Sequence, residues 1–267
     1  MLVHPQFDPH IFTIGAIGPS WYGLMYLLGF AVFWYLGTRR ARKENSFIRP
    51  EQVSDYLFYA VLGVILGGRI GSVLFYNFDQ FLADPVYLVR IWEGGMSFHG
   101  GLLGVIAVTW LYQRKYHWGF FRLADFIAPL VPPGLFFGRI GNFINGELWG
   151  RETSVAWGMV FPQAGDQLAR HPSQLYQAFF EGLILFLILW IYSAKPRAAG
   201  SVSGLFLIFY GLFRLMMEFV REPDQHIGFI AFDWLTMGQL LSLPMIIIGA
   251  LLMWLAQKGI FEKEIKT

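Results

Sequence analysis

The stretch of sequence that decides the fold is residues 55–76, which read DYLFYAVLGVILGGRIGSVLFY. The hydrocarbon core of a bilayer is about 30 Å thick, and a helix needs about 20 mostly apolar residues to cross it. Only Asp55 at the start and Arg69 near the end of this stretch carry a charge. Its length and composition therefore predict a transmembrane helix.

Six further stretches have the same character, and together they predict an all-α polytopic membrane protein with seven transmembrane helices. The composition agrees, because 55% of the residues are hydrophobic and only 14% are charged, against about 25% charged in soluble proteins. No Pro- or Ser-rich linker divides the chain, so we expect a single integral-membrane domain over residues 1–267. The six other predicted spans are about 20–38, 95–112, 123–143, 173–192, 202–219 and 235–256.

The basic residues predict the orientation, because cytoplasmic connections are enriched in Lys and Arg. Thirteen of the 20 basic residues lie in the tail and in the connections after the first, third and fifth spans. The other connections hold four arginines and no lysine. We therefore expect the N-terminus outside the cytoplasm and the C-terminus in the cytoplasm.

The composition also limits the partners and the chemistry. The net charge is only +2 and there is no cysteine, so we expect no nucleic-acid partner, no disulfide and no thiolate metal site. Any thiol in the chemistry must come from a partner. Residues 1–19 lack a basic segment followed by an apolar core and a small-residue cleavage site, so we expect no cleaved signal peptide.

Three arginines, Arg69, Arg139 and Arg214, lie inside predicted spans, where a charge costs at least about 2.5–3.5 kcal/mol. A single arginine can reach the interface by snorkelling. These three have similar predicted depths, and residues 68–71 and 138–141 both read GRIG. We expect the three side chains to cluster towards the outer leaflet, with snorkelling as the alternative for each.

The sixth span carries a polar stripe. Tyr210, Arg214 and Glu218 are spaced four residues apart, and Arg221 follows seven residues after Arg214, so all four share one helical face. Such a stripe fits a lipid headgroup, because the forked donors of arginine match phosphate geometry. The alternative is an Arg214–Glu218 pair that only neutralises itself.

His99 lies among glycines at the start of the third span, in the run GGMSFHGG of residues 94–101. Histidine titrates near neutral pH and can act as a general base. Its predicted depth matches that of the arginines, which supports a catalytic role as much as a purely structural hydrogen bond. Both interpretations remain open from the residues alone.

The most informative run is GRIGNFINGELWG, residues 138–150. It offers a cation and neutral donors for a phosphate, and a carboxylate to orient them. The run resembles the signature of the prolipoprotein diacylglyceryl transferase family, Gly-Arg-x-Gly-Asn-Phe-x-Asn-x-Glu-x-x-Gly, and matches it at every fixed position. The resemblance extends over nearly the whole chain and includes residues 21–26, 68–71, 94–101, 171–176, 203–206 and 210–218.

The resemblance implies a reaction between phosphatidylglycerol and the lipobox cysteine of a preprolipoprotein signal peptide. The thiol sulfur attacks the glyceryl carbon that bears the phosphate, glycerol-1-phosphate leaves, and a thioether remains. Neither a metal nor a cofactor is implied. The catalytic residues would be His99 as thiol base, with Arg139 and Arg214 on the phosphate. The substrate-binding residues would be Tyr22, Arg69, Asn142, Glu147, Tyr210, Glu218 and Arg221.

Other classes fit less well. An anion transporter would also place arginines and broken helices in the membrane, but the cytoplasmic halves of the predicted spans are almost purely apolar apart from Asp125. A membrane protease is a weaker alternative, because no His-Glu-x-x-His motif is present. Ser173 in the run HPSQLY lacks an evident His–Asp pair, which argues against a serine nucleophile.

Overall fold

The computed structural model describes residues 2–13, 18–222, 228, 230 and 235–262. The described chain is mostly helical, with short 3₁₀ helices at Pro85–Val89, Ile91–Glu93, Ala128–Leu130 and Pro162–Ala164. The first helices are α1 (Trp21–Ala41), α2 (Pro50–Tyr76), α3 (Phe78–Ala83), α4 (Phe98–Tyr116), α5 (Phe120–Ile127) and α6 (Val131–Ile144). The others are α7 (Ser173–Gln177), α8 (Leu185–Tyr192), α9 (Ser201–Met217) and α10 (Met237–Gln257).

Each of the seven predicted spans contains a helix. Four helical stretches are long and apolar enough to cross a membrane, while α9 is apolar but shorter. The prediction of a helical membrane protein is confirmed, whereas the crossing number of seven and the orientation stay predictions. Lys263 and Lys266, which contribute to the orientation, lie outside the described residues. The four stretches are Pro50–Tyr76, Phe120–Ile144, Ser173–Tyr192 and Met237–Gln257.

The chain forms two compact units, one of Met1–Phe33 with Asp125–Lys266 and one built from Trp34–Ala124. A single domain over residues 1–267 therefore stays a prediction. In the second unit, α2 and α4 meet along glycines. A Cβ on Gly104 would lie 2.0 Å from the carbonyl oxygen of Gly63, and one on Gly100 would lie 2.3 Å from that of Gly67. Only glycine permits this close backbone approach.

In the first unit, the fourth predicted span is broken, as its prolines indicated. Ala128–Leu130 form a 3₁₀ turn between α5 and α6, and two further prolines begin α6, where the missing N–H groups do no harm. Just before the break, the Asp125 carboxylate accepts hydrogen bonds from the backbone N–H groups of Gly200 and Ser203, each at 2.8 Å. Asp125 thus caps the start of α9, the helix that carries Tyr210 and Arg214.

Two features were not predicted from the sequence. A π-helix at Ala178–Ile184 joins α7 to α8. A small sheet has β2 (Met159–Val160) in the middle, parallel to β1 (Leu2–Val3) and antiparallel to β3 (Ala169–Arg170). The sheet adds a strand component to the predicted all-α fold.

The α2–α4 contact generates a stability prediction. Gly104→Ala should lower the melting temperature of the detergent-solubilised protein by several degrees, because overpacking a tight contact costs about 1–3 kcal/mol. Gly101→Ala is the matched control on the same helix, since its Cβ would meet no atom closer than 3.5 Å. Equal melting temperatures for the two variants would contradict the close approach.

Candidate functional site

The first unit brings Arg139 to a buried carboxylate. Arg139 lies on α6, and its Nη2 is 3.6 Å from Oε2 of Glu181 on the π-helix. The Glu181 side chain is fully buried, whereas that of Arg139 keeps 21% exposure. Arg139 Nη1 also donates to Asn142 Oδ1 at 3.4 Å, one helical turn later.

The end of α6 orients these groups through a second carboxylate. Asn142 and Asn145 both donate side-chain N–H groups to Glu147 Oε1, at 2.8 and 3.3 Å. Gly146 and Leu148 on either side of Glu147 have positive φ angles of 64° and 58°. Glycine adopts this conformation easily and leucine does not, so surrounding contacts must hold the turn at Leu148. The result is a polar chain from Glu147 through Asn142 to Arg139.

A second cluster lies at the end of α9. Glu218 Oε1 is 2.5 Å from Arg214 Nη2 and 3.5 Å from Arg221 Nη1. Glu218 Oε2 accepts a hydrogen bond of 2.6 Å from Thr236 Oγ1. Gly238 leaves room for this carboxylate, because a Cβ there would lie 2.4 Å from Glu218 Cδ. Glu218 therefore fixes two guanidinium groups at once.

The two clusters interact around Glu181. Its carboxylate is within electrostatic range of Arg139, Arg214 and Arg221. Three guanidinium groups therefore face two carboxylates, Glu181 and Glu218, so these five groups carry one positive charge in excess. Nη1 of Arg214 is buried without a hydrogen-bond partner among the described residues. An excess cation with a free buried donor is the arrangement that a single anion complements.

Two tyrosines from the predicted site adjoin these groups. Tyr210 lies near Glu181 and the three arginines, and its ring stacks on Phe206 with centroids 5.7 Å apart. Tyr22 on α1 packs against Gly141 of α6, where a Cβ would lie 2.9 Å from the tyrosine ring. Its hydroxyl lies 3.4 Å from that of Tyr26.

The connection between α6 and α7 is tied to the end of α9. Arg151 donates to the backbone carbonyls of Arg221 and Glu218, at 2.9 and 3.0 Å. Arg170 pairs with Asp166 at 2.7 Å and Glu222 at 3.2 Å. The hydrogen bond from Arg170 holds the pKa of the Asp166 carboxyl below its usual range, and partial burial lowers the pKa of His171. The hydrogen bonds from Arg151 to the backbone carbonyls position Glu218 and Arg221.

The other two predicted site residues belong to the second unit. Arg69 is 2% exposed, and its guanidinium donates to the backbone carbonyls of Tyr87, Leu88, Gly94 and Gly95. These partners indicate that Arg69 holds the segment before α4, and substrate binding by it stays a prediction. His99 lies exposed in the first turn of α4, and its catalytic role also stays a prediction.

Sequence reasoning missed Glu181, although a signal was present. It is the only charged residue in the predicted span 173–192, and a carboxylate at membrane depth needs a partner as much as an arginine does. Thr236 and Gly238 carried no comparable signal, because their importance comes from contact with Glu218 across helices.

The arrangement can be compared with known proteins. A family model described as prolipoprotein diacylglyceryl transferase matches residues 9–255. The chain belongs to the prolipoprotein diacylglyceryl transferase family.

Family members with the curated name phosphatidylglycerol–prolipoprotein diacylglyceryl transferase are similar to this chain over nearly its full length. The protein from Solidesulfovibrio magneticus is 58% identical over 257 residues, which is 96% of each chain. The protein from Coxiella burnetii, strain RSA 331, is 55% identical over 258 residues, or 97% of this chain and 98% of the relative. Similarity at this level confirms the resemblance expected from the run at residues 138–150.

The ion pairs at Glu218 generate a stability prediction. Glu218→Gln keeps the side-chain shape but removes the negative charge next to Arg214 and Arg221, and breaking a buried ion pair costs about 3–5 kcal/mol. We expect a fall of several degrees in melting temperature. Glu222→Gln is the control, because that side chain is 44% exposed and surface pairs contribute about 0–1 kcal/mol. Equal shifts for both variants would show that Glu218 is not the counter-charge of the cluster.

Proposed function

We propose that this chain is a phosphatidylglycerol–prolipoprotein diacylglyceryl transferase, which acts in the first step of lipoprotein maturation. The observation that carries the proposal is the cluster of Arg139, Arg214 and Arg221 around two buried carboxylates. Its one excess positive charge matches the single negative charge of a phosphodiester. Family membership and the apolar helices around the cluster support a phospholipid as the ligand.

The proposed reaction is a displacement at carbon. The sulfur of a prolipoprotein lipobox cysteine attacks the glyceryl carbon that bears the phosphate, so a C–S bond forms as the C–O bond breaks. The electron pair of the C–O bond stays on the phosphate oxygen, and glycerol-1-phosphate leaves. The thiol proton passes to a general base, for which His99 is our candidate.

The arginines supply electrostatic stabilisation. As the C–O bond breaks, negative charge grows on the phosphate, and preorganised donors in a site of low dielectric lower the barrier to that change. Arg139 and Arg214 are the groups assigned to it. Glu218 holds Arg214 and Arg221 in place, Asn142 and Glu147 orient Arg139, and Tyr22 and Tyr210 can donate hydroxyl hydrogen bonds to the headgroup.

We further propose the full membrane arrangement expected from the sequence. The chain is a single domain in the bacterial inner membrane, with seven spans, a periplasmic N-terminus and a cytoplasmic C-terminus. The distribution of lysines supports this orientation. A reporter that is active only in the periplasm should be silent when fused after residue 267, and strong activity there would overturn the orientation.

A direct assay tests the activity. Purified protein, phosphatidylglycerol and a lipobox peptide are mixed, and mass spectrometry should show the peptide gaining one diacylglyceryl group. Arg139→Lys should lose about 99% of turnover, because lysine keeps the charge but not the forked geometry. Arg197→Lys, in the connection before α9, should keep normal turnover. A peptide mass that does not change with wild-type protein contradicts the proposed function.

The roles of His99 and Arg214 predict different pH profiles. An ordinary cysteine has a pKa near about 8.5, so raising the pH supplies thiolate without a base. Activity of His99→Gln should therefore recover partly between about pH 7 and pH 9, relative to wild type. Arg214→Gln should not recover, because thiolate does not replace a phosphate contact. Parallel profiles for the two variants would remove His99 as the base.

A further inference from the structure

The helix that carries Glu181 has a polar face that the reaction above does not use. Gln174, Gln177 and Glu181 are spaced by three and four residues and so share one side of the helix. All three side chains are at most 1% exposed. This helix packs against α6, and the row begins at the Glu147 turn and ends at Arg139.

Each member of this row has a buried oxygen without a hydrogen-bond partner among the described residues. These atoms are Oε1 of Gln174, Oε1 of Gln177 and both carboxylate oxygens of Glu181. The assignment for Gln174 is fixed, because its Nε2 donates to the backbone carbonyl of Glu147 at 2.7 Å. Its Oε1 must therefore be the free end, and it is an acceptor.

Such a row lowers the stability of the folded protein unless a group donates hydrogen bonds to it. A buried acceptor without a partner costs about 1–3 kcal/mol. The part of the helix that holds Glu181 is also a π-helix, a distortion that is frequent at functional sites. The row therefore calls for a ligand that brings hydrogen-bond donors.

We propose that Gln174 and Gln177 form the subsite for the glycerol headgroup of the lipid, a polyol whose hydroxyl hydrogens they accept. This proposal rests on the proposed function, because it places the phosphate at Arg139 and Arg214. Gln177 precedes Glu181 by four residues, a rise of about 6 Å along the helix, which a three-carbon headgroup can span from its phosphorus. The site thus recognises the hydroxyl groups of the leaving glycerol-1-phosphate.

The test uses three lipids that differ only in the headgroup: phosphatidylglycerol, phosphatidyl-1,2-propanediol and phosphatidylpropanol. Their headgroups carry two, one and no hydroxyl groups on the same three carbons. For wild-type protein, kcat/KM for diacylglyceryl transfer should fall stepwise along the series, by at least about tenfold from first to last, because a site built to bind a hydroxyl rejects the analogue that lacks it.

Gln177→Met keeps the side-chain length and removes the strong acceptor, so the ratio of kcat/KM for phosphatidylglycerol over phosphatidylpropanol should fall by about tenfold. Ser173→Ala is the matched control on the same helix. It is equally buried, but its hydroxyl already donates to the Leu148 carbonyl at 3.0 Å, so the ratio should stay at the wild-type value.

The outcomes separate the two proposals. Transfer from none of the three lipids by wild-type protein overturns the proposed function itself. Normal transfer with equal kcat/KM along the series overturns the headgroup subsite alone, and so does an unchanged ratio in Gln177→Met. If Gln177→Met folds poorly, equal kcat/KM along the wild-type series still overturns the headgroup subsite without it.

Discussion

The structure of the site depends on the pairing of charges that the surrounding apolar helices cannot solvate. Arg139, Arg214 and Arg221 gather around Glu181 and Glu218, whose side chains are 0% and 4% exposed. A buried ion pair gains little net stability over apolar packing, but removing one partner is strongly destabilising. The three arginines and two carboxylates must therefore be maintained together, and the excess of one positive charge follows from their number.

Much of the first unit serves to hold this cluster. Asp125 caps α9 at the opposite end of the helix from Arg214. Arg151 binds the backbone where α9 ends, and Thr236 fixes the second oxygen of Glu218. On the other side, Ser173 and Gln174 bind the carbonyls of Leu148 and Glu147, which supports the left-handed turn at Leu148. The run HPSQLY is thus connected to the signature run through hydrogen bonds, and Ser173 needs no role as a nucleophile.

The sequence predicted the helices well because apolar length is a local property. It also placed Arg214, Glu218 and Arg221 on one helical face, since residues three or four apart on a helix lie close together, and it considered the Arg214–Glu218 pair as the alternative to a headgroup-binding stripe. The carboxylate of Glu181 and the hydrogen bond from Thr236 were not predicted, because they connect elements distant in the sequence. Arg69 is a case in which a shared local pattern does not predict a shared environment. Its tetrapeptide matches that of Arg139, but its guanidinium is bound by four backbone carbonyls, and no local pattern distinguishes the two environments.

The central claim is that the excess positive charge of this cluster binds the phosphate of the lipid. The most direct measurement is the melting temperature of the purified protein against increasing concentrations of sn-glycerol 1-phosphate, the product that carries the phosphate. A ligand that binds only the folded protein raises the melting temperature. The account predicts a saturable rise for the wild-type protein, no rise with glycerol alone, and no rise for Arg214→Gln. An equal rise in Arg214→Gln, or none in the wild type, would contradict it.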